Sequence, residues 1–435
     1  MAKKKQIELT IEEKLQNALV PKEEQPYKIP NNWCWTYLTK GMAECWDKYR
    51  KPINATERNK RLGNIPYYGA TGQVGWIDDY LTDEHLVLIG EDGAPFLDLL
   101  KNKAYIIKGK SWVNNHAHIL KSFYDEVGNK YLCNYLNVFN YKGYINGTTR
   151  LKLTQKNLDI IPIPLPPINE QQRIVERIES LFVKLDRAKE LIENTLAQFE
   201  QNKMAILHKA FTGELTARWR KENNINEKNF FNKVKLKNVI KLISGRDVSV
   251  SLCNDKSIGI PYILGASNIK DNKFFIERWI ENPVVVSEKN DILLSVKGTI
   301  GKLYLQKEEK INISRQIMAL RALNELNTHY LYYFLLRECE RLKFEGNGLI
   351  PGISRKDILD LNILLPTLEE QQEIVNILDK LLAKYNKIKN LEQQLEKIEL
   401  LKKAILAKAF RGELGTNNPD EESAENLLKE ILAEK

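Results

Sequence analysis

The stretch PPINEQQRIVERIESLF, Pro166 to Phe182, returns as PTLEEQQEIVNILDKLL, Pro366 to Leu382, 200 positions later. Seven of the seventeen places are identical: Pro, Glu, Gln, Gln, Ile, Val and a late Leu. Each copy opens like a helix. Thr367 with Glu370 has the pattern of a capping box, which satisfies otherwise orphan backbone N–H groups. One such segment is a helix start. Two at this separation point to a chain built twice, a domain plus a helix duplicated as a whole rather than a solenoid.

The first copy continues with an apolar stride of 4 and 3 through Ile174, Ile178, Leu181, Leu185, Ala188, Ile192, Thr195 and Phe199, and the second keeps nearly the same stride through Ile374, Leu378, Leu381, Tyr385, Ile388, Leu391, Leu395, Ile398 and Ile405. That is a heptad seam, and it demands a partner helix. HKAFTGEL (His208 to Leu215) matches AKAFRGEL (Ala407 to Leu414) at an offset of 199, so one residue is lost in the second helix. Gly213 and Gly412 follow the last apolar turn, where a left-handed residue ends helices. Each helix should run roughly 40 residues, about 60 Å at 1.5 Å per residue. The repeat supplies a matching partner within the chain, so we expect the two helices to pair with each other, antiparallel, about a pseudo-twofold axis. The variable domains then sit at opposite ends of a rod. A coiled coil between chains is the alternative.

Shifting the chain by 200 also lays NNHAHIL (Asn114 to Leu120) on SRQIMAL (Ser314 to Leu320), two short alternating strands. DEVGNKYLCNYLNVF (from Asp125) and THYLYYFLLRECERLKF (from Thr328) read as one helix in each half. The fold class is therefore α+β: two tandem mixed globules separated by two long helices. The expected partition is an N-terminal helical extension over 1–26, variable domains over 27–165 and 232–365, and conserved helices over 166–215 and 366–415. A linker covers 216–231, and a tail with a short acidic helix covers 416–435.

With 435 residues and 43% hydrophobic content, the chain can bury more than one core. Its net charge of +9 fits either plain solubility or a polyanionic partner. Five scattered cysteines (Cys34, Cys45, Cys133, Cys253, Cys339) without a Cys-x-x-Cys pair argue against a disulfide framework or a zinc ribbon. The basic start MAKKKQIELTIEEKL has no apolar core of a signal peptide. No apolar run approaches the roughly 20 residues that span a membrane. The expectation is a cytoplasmic chain.

The sequence holds little that could do chemistry. AYIIKGKS (Ala104 to Ser111) ends like a phosphate loop but has Ala104 where the first glycine belongs. His116 and His118 lack a nearby third ligand and read as hydrogen-bonded structural residues rather than a metal site. Asp255 and the DNK at Asp271 have the residue types of a nuclease site, but these are common loop residues. No catalytic constellation emerges, and no metal or cofactor is expected on this chain. Recognition chemistry remains. Gly- and Asn-rich loops carry Tyr68, Thr71, Gln73, Asn114, Asn115, His116, Ser267, Asn268, Lys270, Lys297, Arg315 and Gln316. Asn and Gln pair with adenine edges, Arg with guanine, and Lys holds phosphate. On the helices, Gln171, Gln172, Ile174, Ile178, Leu181 and Leu185, with Gln371, Gln372, Ile374, Leu378 and Leu381, are the candidate seam and partner residues.

LPPINEQQRIVERIESLF, LPTLEEQQEIVNILDKLL, AFTGEL, AFRGEL, PYYGATGQVGWIDDYL, LIGEDGA, WVNNHAHIL, LLSVKGTIG and NISRQIMAL together resemble the specificity subunits of type I restriction–modification enzymes, over nearly the whole chain. The resemblance implies two target-recognition domains, each reading one half of an asymmetric bipartite DNA site. It implies helices that act as a ruler for the gap and dock DNA adenine methyltransferase subunits, two per chain, and through them restriction and translocase subunits. S-adenosylmethionine, ATP and Mg then belong to those partners, and this chain is not catalytic by itself. Half-sites about one helical turn apart, roughly 34 Å, suit such a spacer. On this reading, four residues inserted after Thr212 lengthen the recognised gap.

Two other readings compete. An enzyme with an unfamiliar site would modify DNA alone. A coiled-coil scaffold, or a subunit of a different complex, would show only weak, salt-labile DNA binding without sequence preference.

Overall fold

The computed structural model describes residues 9–225, 232–270, 273–345, 352–386 and 390–434. The chain folds into two compact units: Met1–Ile192 together with Glu392–Lys435, and Glu193–Leu391. Each spacer segment therefore gives its start to one unit and its end to the other.

In the first unit, strands Ala43–Cys45, Ala117–Ser122, Leu86–Gly90 and Ala104–Ile107 form an antiparallel sheet in that order. The apolar run of Leu86–Gly90 is buried along its whole length, as expected of a strand covered on both faces. A second sheet has the order Gly72–Ile77, Ile65–Gly69, Lys110–Val113, Thr82–Asp83, with Ile65–Gly69 and Lys110–Val113 parallel. Cys34–Tyr37 pairs with Pro162–Leu165. The prolines of that edge strand cannot donate, and two of its carbonyls instead accept from helix Asp125–Leu136. Tyr131 Oη donates to Pro164 at 2.6 Å and Tyr135 Oη to Pro162 at 2.6 Å.

The second unit repeats the order of the first sheet and the parallel pair of the second, which here has five strands. Ile240–Ser244, Ile317–Ala322, Ile292–Ser295 and Leu303–Leu305 form the first sheet. Ile260–Ile263 and Lys310–Ile313 form the parallel pair of the second, and Lys233–Lys235 pairs with Asn362–Leu364. Helix Thr328–Glu345 stands where Asp125–Leu136 stands, with Tyr330 Oη donating to Leu364 at 2.9 Å. The strands Ala117–Ser122 and Ile317–Ala322 lie at the 200-residue offset read from NNHAHIL and SRQIMAL.

The first spacer helix is continuous over Ile168–Ala210, 43 residues. The second is described as Leu368–Asn386 and Asn390–Ala409. Ile388 and the side chain of Tyr385, both assigned to the seam, lie outside the described residues. Equivalent residues of the two helices enter equivalent cores. Ile174, Val175 and Ile178 join Leu406, Ala409 and Phe410 in the first unit. Ile374, Val375 and Leu378 join Leu207, Ala210 and Phe211 in the second. Within the first unit the helices run antiparallel: Lys402 bonds Asp186, and Lys189 Nζ lies 2.9 Å from Glu399. Gly213 and Gly412 both take positive φ, 82° and 72°.

The tail carries the expected short helix but goes beyond the sequence reading, and the linker differs from it. Helix Ala424–Glu434 is part of the first core: Ala424, Leu428 and Leu432 are buried with Leu15 and Ala18 of helix Ile11–Ala18. Its polar face is visible locally, but the apolar groove that receives it is built from residues hundreds of positions earlier. The stretch expected to open the linker folds as helix Ala217–Glu222 with Arg220 buried, because a buried carboxylate awaits it; residues 226–231 lie outside the described residues.

Candidate nucleic-acid interface

Three turns converge in each domain at the ends of the parallel strand pair. In the first, Asn114 N donates to Tyr68 O at 3.1 Å, and Glu91 N donates to His116 O at 2.7 Å. In the second, Ser314 N donates to Ile263 O at 3.1 Å, and Val296 N to Gln316 O at 2.8 Å. The turns hold themselves in the same way. Asn114 Oδ1 accepts His116 N at 2.8 Å, and Ser314 Oγ accepts Gln316 N at 3.2 Å. Such side-chain-to-backbone bonds are what Asn and Ser supply best.

Asn114, 8% exposed, thus holds its own turn through its amide oxygen. Asn268, 1% exposed, has both amide atoms engaged: Oδ1 accepts Leu264 N and Nδ2 donates to Phe275 O, each at 3.0 Å. Both are candidate base readers by sequence because Asn in a loop looks the same whichever way its amide points. The exposed candidates are Thr71, Gln73, Asn115, Ser267, Lys270, Lys297, Arg315 and Gln316. Gln73 Nε2 donates to Gly75 O at 3.1 Å, and Arg315 Nε lies 2.7 Å from Asp247. A Cβ on Gly265 would sit 2.4 Å from Gln316 Oε1, so this glycine makes room for the amide. Tyr68 is half-buried against Tyr105, ring centroids 6.0 Å apart. His116 Nδ1 lies 2.8 Å from Asp92 Oδ1, which also accepts from Arg150 at 2.9 Å.

The helix starts carry a second set of contacts. Gln171 and Gln371 are fully buried and donate to the carbonyls of Pro166 and Pro366 at 3.2 and 2.9 Å, while Gln172 and Gln372 face solvent. Ile174, Ile178, Ile374 and Leu378 are buried; Leu181, Leu185 and Leu381 are half-buried. The expected capping box at Thr367 is only half formed. Glu370 N donates to Thr367 Oγ1 at 3.4 Å, but the Glu370 carboxylate turns inward to Thr216 and Arg220. A buried guanidinium is a stronger partner for a carboxylate than one orphan amide. Glu170 turns inward likewise, accepting from Trp33 Nε1 at 2.7 Å, Asn417 Nδ2 at 2.8 Å and Thr416 Oγ1 at 3.3 Å.

The family model for the type I restriction modification DNA specificity domain matches residues 36–200 and again 229–400. The chain belongs to this family. The specificity chain is 27% identical to a putative type I restriction enzyme specificity subunit of Haemophilus influenzae, over 84% of this chain and 93% of that one. It is also 27% identical to the EcoKI specificity subunit of Escherichia coli, over 64% and 65%. Among solved structures it is similar to a chain from a study of complex assembly and conformational transition of the type I R-M system, with TM-score 0.69 and 21% identity over 89% of this chain and all of that one. The HsdS subunit from Thermoanaerobacter tengcongensis aligns with TM-score 0.51 at 21% identity, over 90% and 100%. Among the described residues of the specificity chain, no helix is long and apolar enough to cross a membrane.

Two features of the first domain escape the sequence reading. Cations stack on aromatic rings at the strand Ile65–Gly69 and beside it: Arg58 over Tyr67 at 4.8 Å, Arg61 over Trp112 at 4.8 Å, where it also pairs with Asp78 at 2.6 Å, and Lys110 over Tyr80 at 4.7 Å. The signal is present as NATERNKRLGN, Asn54 to Asn64, a basic run beside an aromatic strand. Cys45, Asp47 and His118 also bring metal-ligand atoms within 4.8 Å of one another. Asp47 and His118 are hydrogen-bonded to each other within a polar network. His118 Nδ1 meets Asp47 at 2.6 Å, its Nε2 meets Leu153 O at 2.8 Å, and Arg50 lies 2.8 Å from Asp47. Burial, with help from the nearby Asp47 charge, pushes the Cys45 thiol up to about 12. Burial works against the Asp47 carboxylate, but His118, the Ile119 amide and Arg50 hold it below the usual range.

Proposed function

We propose that this chain is the DNA-specificity subunit of a type I restriction–modification complex. Its target-recognition domains, 27–165 and 232–365, each read one half of an asymmetric bipartite site. Its helices set the gap and dock two DNA adenine methyltransferase subunits, which carry S-adenosylmethionine. Restriction subunits that use ATP and Mg join through these. The chain acts in the cytoplasm, where its DNA is, and performs no catalytic step alone.

The observation that carries this reading is that two domains share the strand order of their first sheet, a parallel strand pair and one three-turn scaffold but present different side chains at matched places. Asn115 and His116 in the first stand where Arg315 and Gln316 stand in the second. A shared scaffold with unlike tips is what reading two unlike half-sites requires. In the second domain, Gln316 has the donor and acceptor to pair with an adenine edge, Arg315 the fork to meet guanine on leaving Asp247, and Lys297 the charge for phosphate. In the first domain, Asp92 fixes the His116 ring, while Arg58 and Lys60 supply the cationic approach.

Selection from a randomised duplex pool, using this chain assembled with its methyltransferase subunits, tests the reading. A split consensus with a fixed unspecified gap is expected. Enrichment of no sequence, with DNA retained only at low salt, would favour a scaffold.

A further inference from the structure

Glu170 and Glu370 are fully buried carboxylates at matched positions of the repeated motif, and both reach the end of the opposite spacer segment. In the first unit, Glu170 accepts from Thr416 and Asn417, which follow the second Gly-Glu-Leu. In the second, Glu370 accepts from Thr216, which follows the first Gly-Glu-Leu, and from Arg220 at 2.7 Å. Arg220 is itself tied to the Gly213 carbonyl at that helix end. Each helix start is thereby clasped to one helix end.

We infer that Glu170 and Glu370 are positioning residues that lock the register of the two spacer helices and so set the gap between DNA half-sites. The inference rests on the specificity-subunit reading. The heptad seam alone does not fix register. A slide by one heptad returns apolar side chains to apolar neighbours, and the middle of the seam holds no buried polar pair among the described residues. The clasps do distinguish registers. One slip leaves Glu370 and Arg220 buried without each other, and Glu170 facing donors it cannot reach. Buried polar groups that specify register in helix pairs act in this way. The two clasps differ in chemistry. Glu370 holds a guanidinium, whereas the bonds to Glu170 come from an indole, an amide and a hydroxyl. The Glu370 end should therefore be the stricter one.

The test is selection of bound duplexes by the assembled complex, scored for the length of the gap, with Glu170→Gln, Glu370→Gln and the double variant Arg220→Met/Glu370→Leu. The apolar pair removes both charges at once, so it keeps the unit folded where a single change fails. Near-ultraviolet circular dichroism confirms folding of each. The expected result is that the half-site sequences stay unchanged while preference for the native gap over longer or shorter ones falls at least tenfold, most in the double variant. A folded double variant that keeps the native gap at full preference overturns the clasp. A wild-type selection with no split consensus overturns the specificity-subunit reading instead.

Discussion

The guanidinium of Arg220 lies 2.7 Å from the carboxylate of Glu370, with the two side chains 4% and 0% exposed. Neither charge has water to fall back on, so removing one strands the other. Arg220→Met should cost the second unit about 3–5 kcal/mol, the range for breaking a buried pair, while Arg220→Met/Glu370→Leu should recover most of it. Urea unfolding of both variants measures this. Equal losses in the single and double variants would show that packing, not charge, matters there.

Helix ends make a second prediction. Gly412 has φ 72° and a Cβ there would lie 2.3 Å from Pro30 Cγ, whereas Gly415 has φ 70° and open space around it. Gly415→Ala should therefore cost only the left-handed backbone strain, about 1 kcal/mol. Gly412→Ala should cost clearly more, because the Pro30 ring has to move. The melting temperatures of the two variants, compared directly, decide it.

The Asp47 network makes the first unit sensitive to acid. The folded Asp47 carboxyl titrates below its unfolded value, so its stabilisation is complete above the ordinary Asp range near pH 4 and is lost as pH falls through the folded value. Asp47→Asn should be destabilised by roughly 1–3 kcal/mol at about pH 7, the cost of removing one partner from a buried polar group. The difference from wild type should shrink towards about pH 3, below the ordinary Asp range. Unfolding curves at the two pH values check the sign; a gap that widens in acid would contradict it.

On DNA, Gln316 and Lys297 should behave differently. Gln316→Ala should cost about 1–3 kcal/mol of discrimination at one base pair of one half-site, while Lys297→Ala should weaken all sequences alike and lower the salt slope by about one. Asn114→Ala should instead loosen the first loop cluster and show in stability first. Binding titrations on matched and single-mismatch duplexes at two salt concentrations separate these outcomes.

Sequence reveals the parts that repeat. The 4-3 stride marks both spacer segments because periodicity is local and counts itself, and Ile174 and Ile374 land in equivalent cores. The partner of Glu170 is not visible: Thr416 lies 246 residues away, and no local pattern predicts such a meeting. Arg220 looks like part of an Asn-rich linker, since burial of a charge is a property of what surrounds it in space. Asn268 looks like a base reader because composition does not say which way an amide points. Thr212 lies beyond the helix end at Ala210, so an insertion there extends a turn. Lengthening the spacer takes a heptad in each helix, after Ile192 and after Leu395. That adds about 10 Å, or about three base pairs of gap at roughly 3.4 Å each.

The most direct test is methylation mapping. The chain is co-expressed with its methyltransferase subunit, and methyladenine is located across the genome by single-molecule sequencing. The account predicts an asymmetric split motif with one fixed gap, methylated only when both proteins are present. No new methylation, with both proteins soluble and associated, would contradict it.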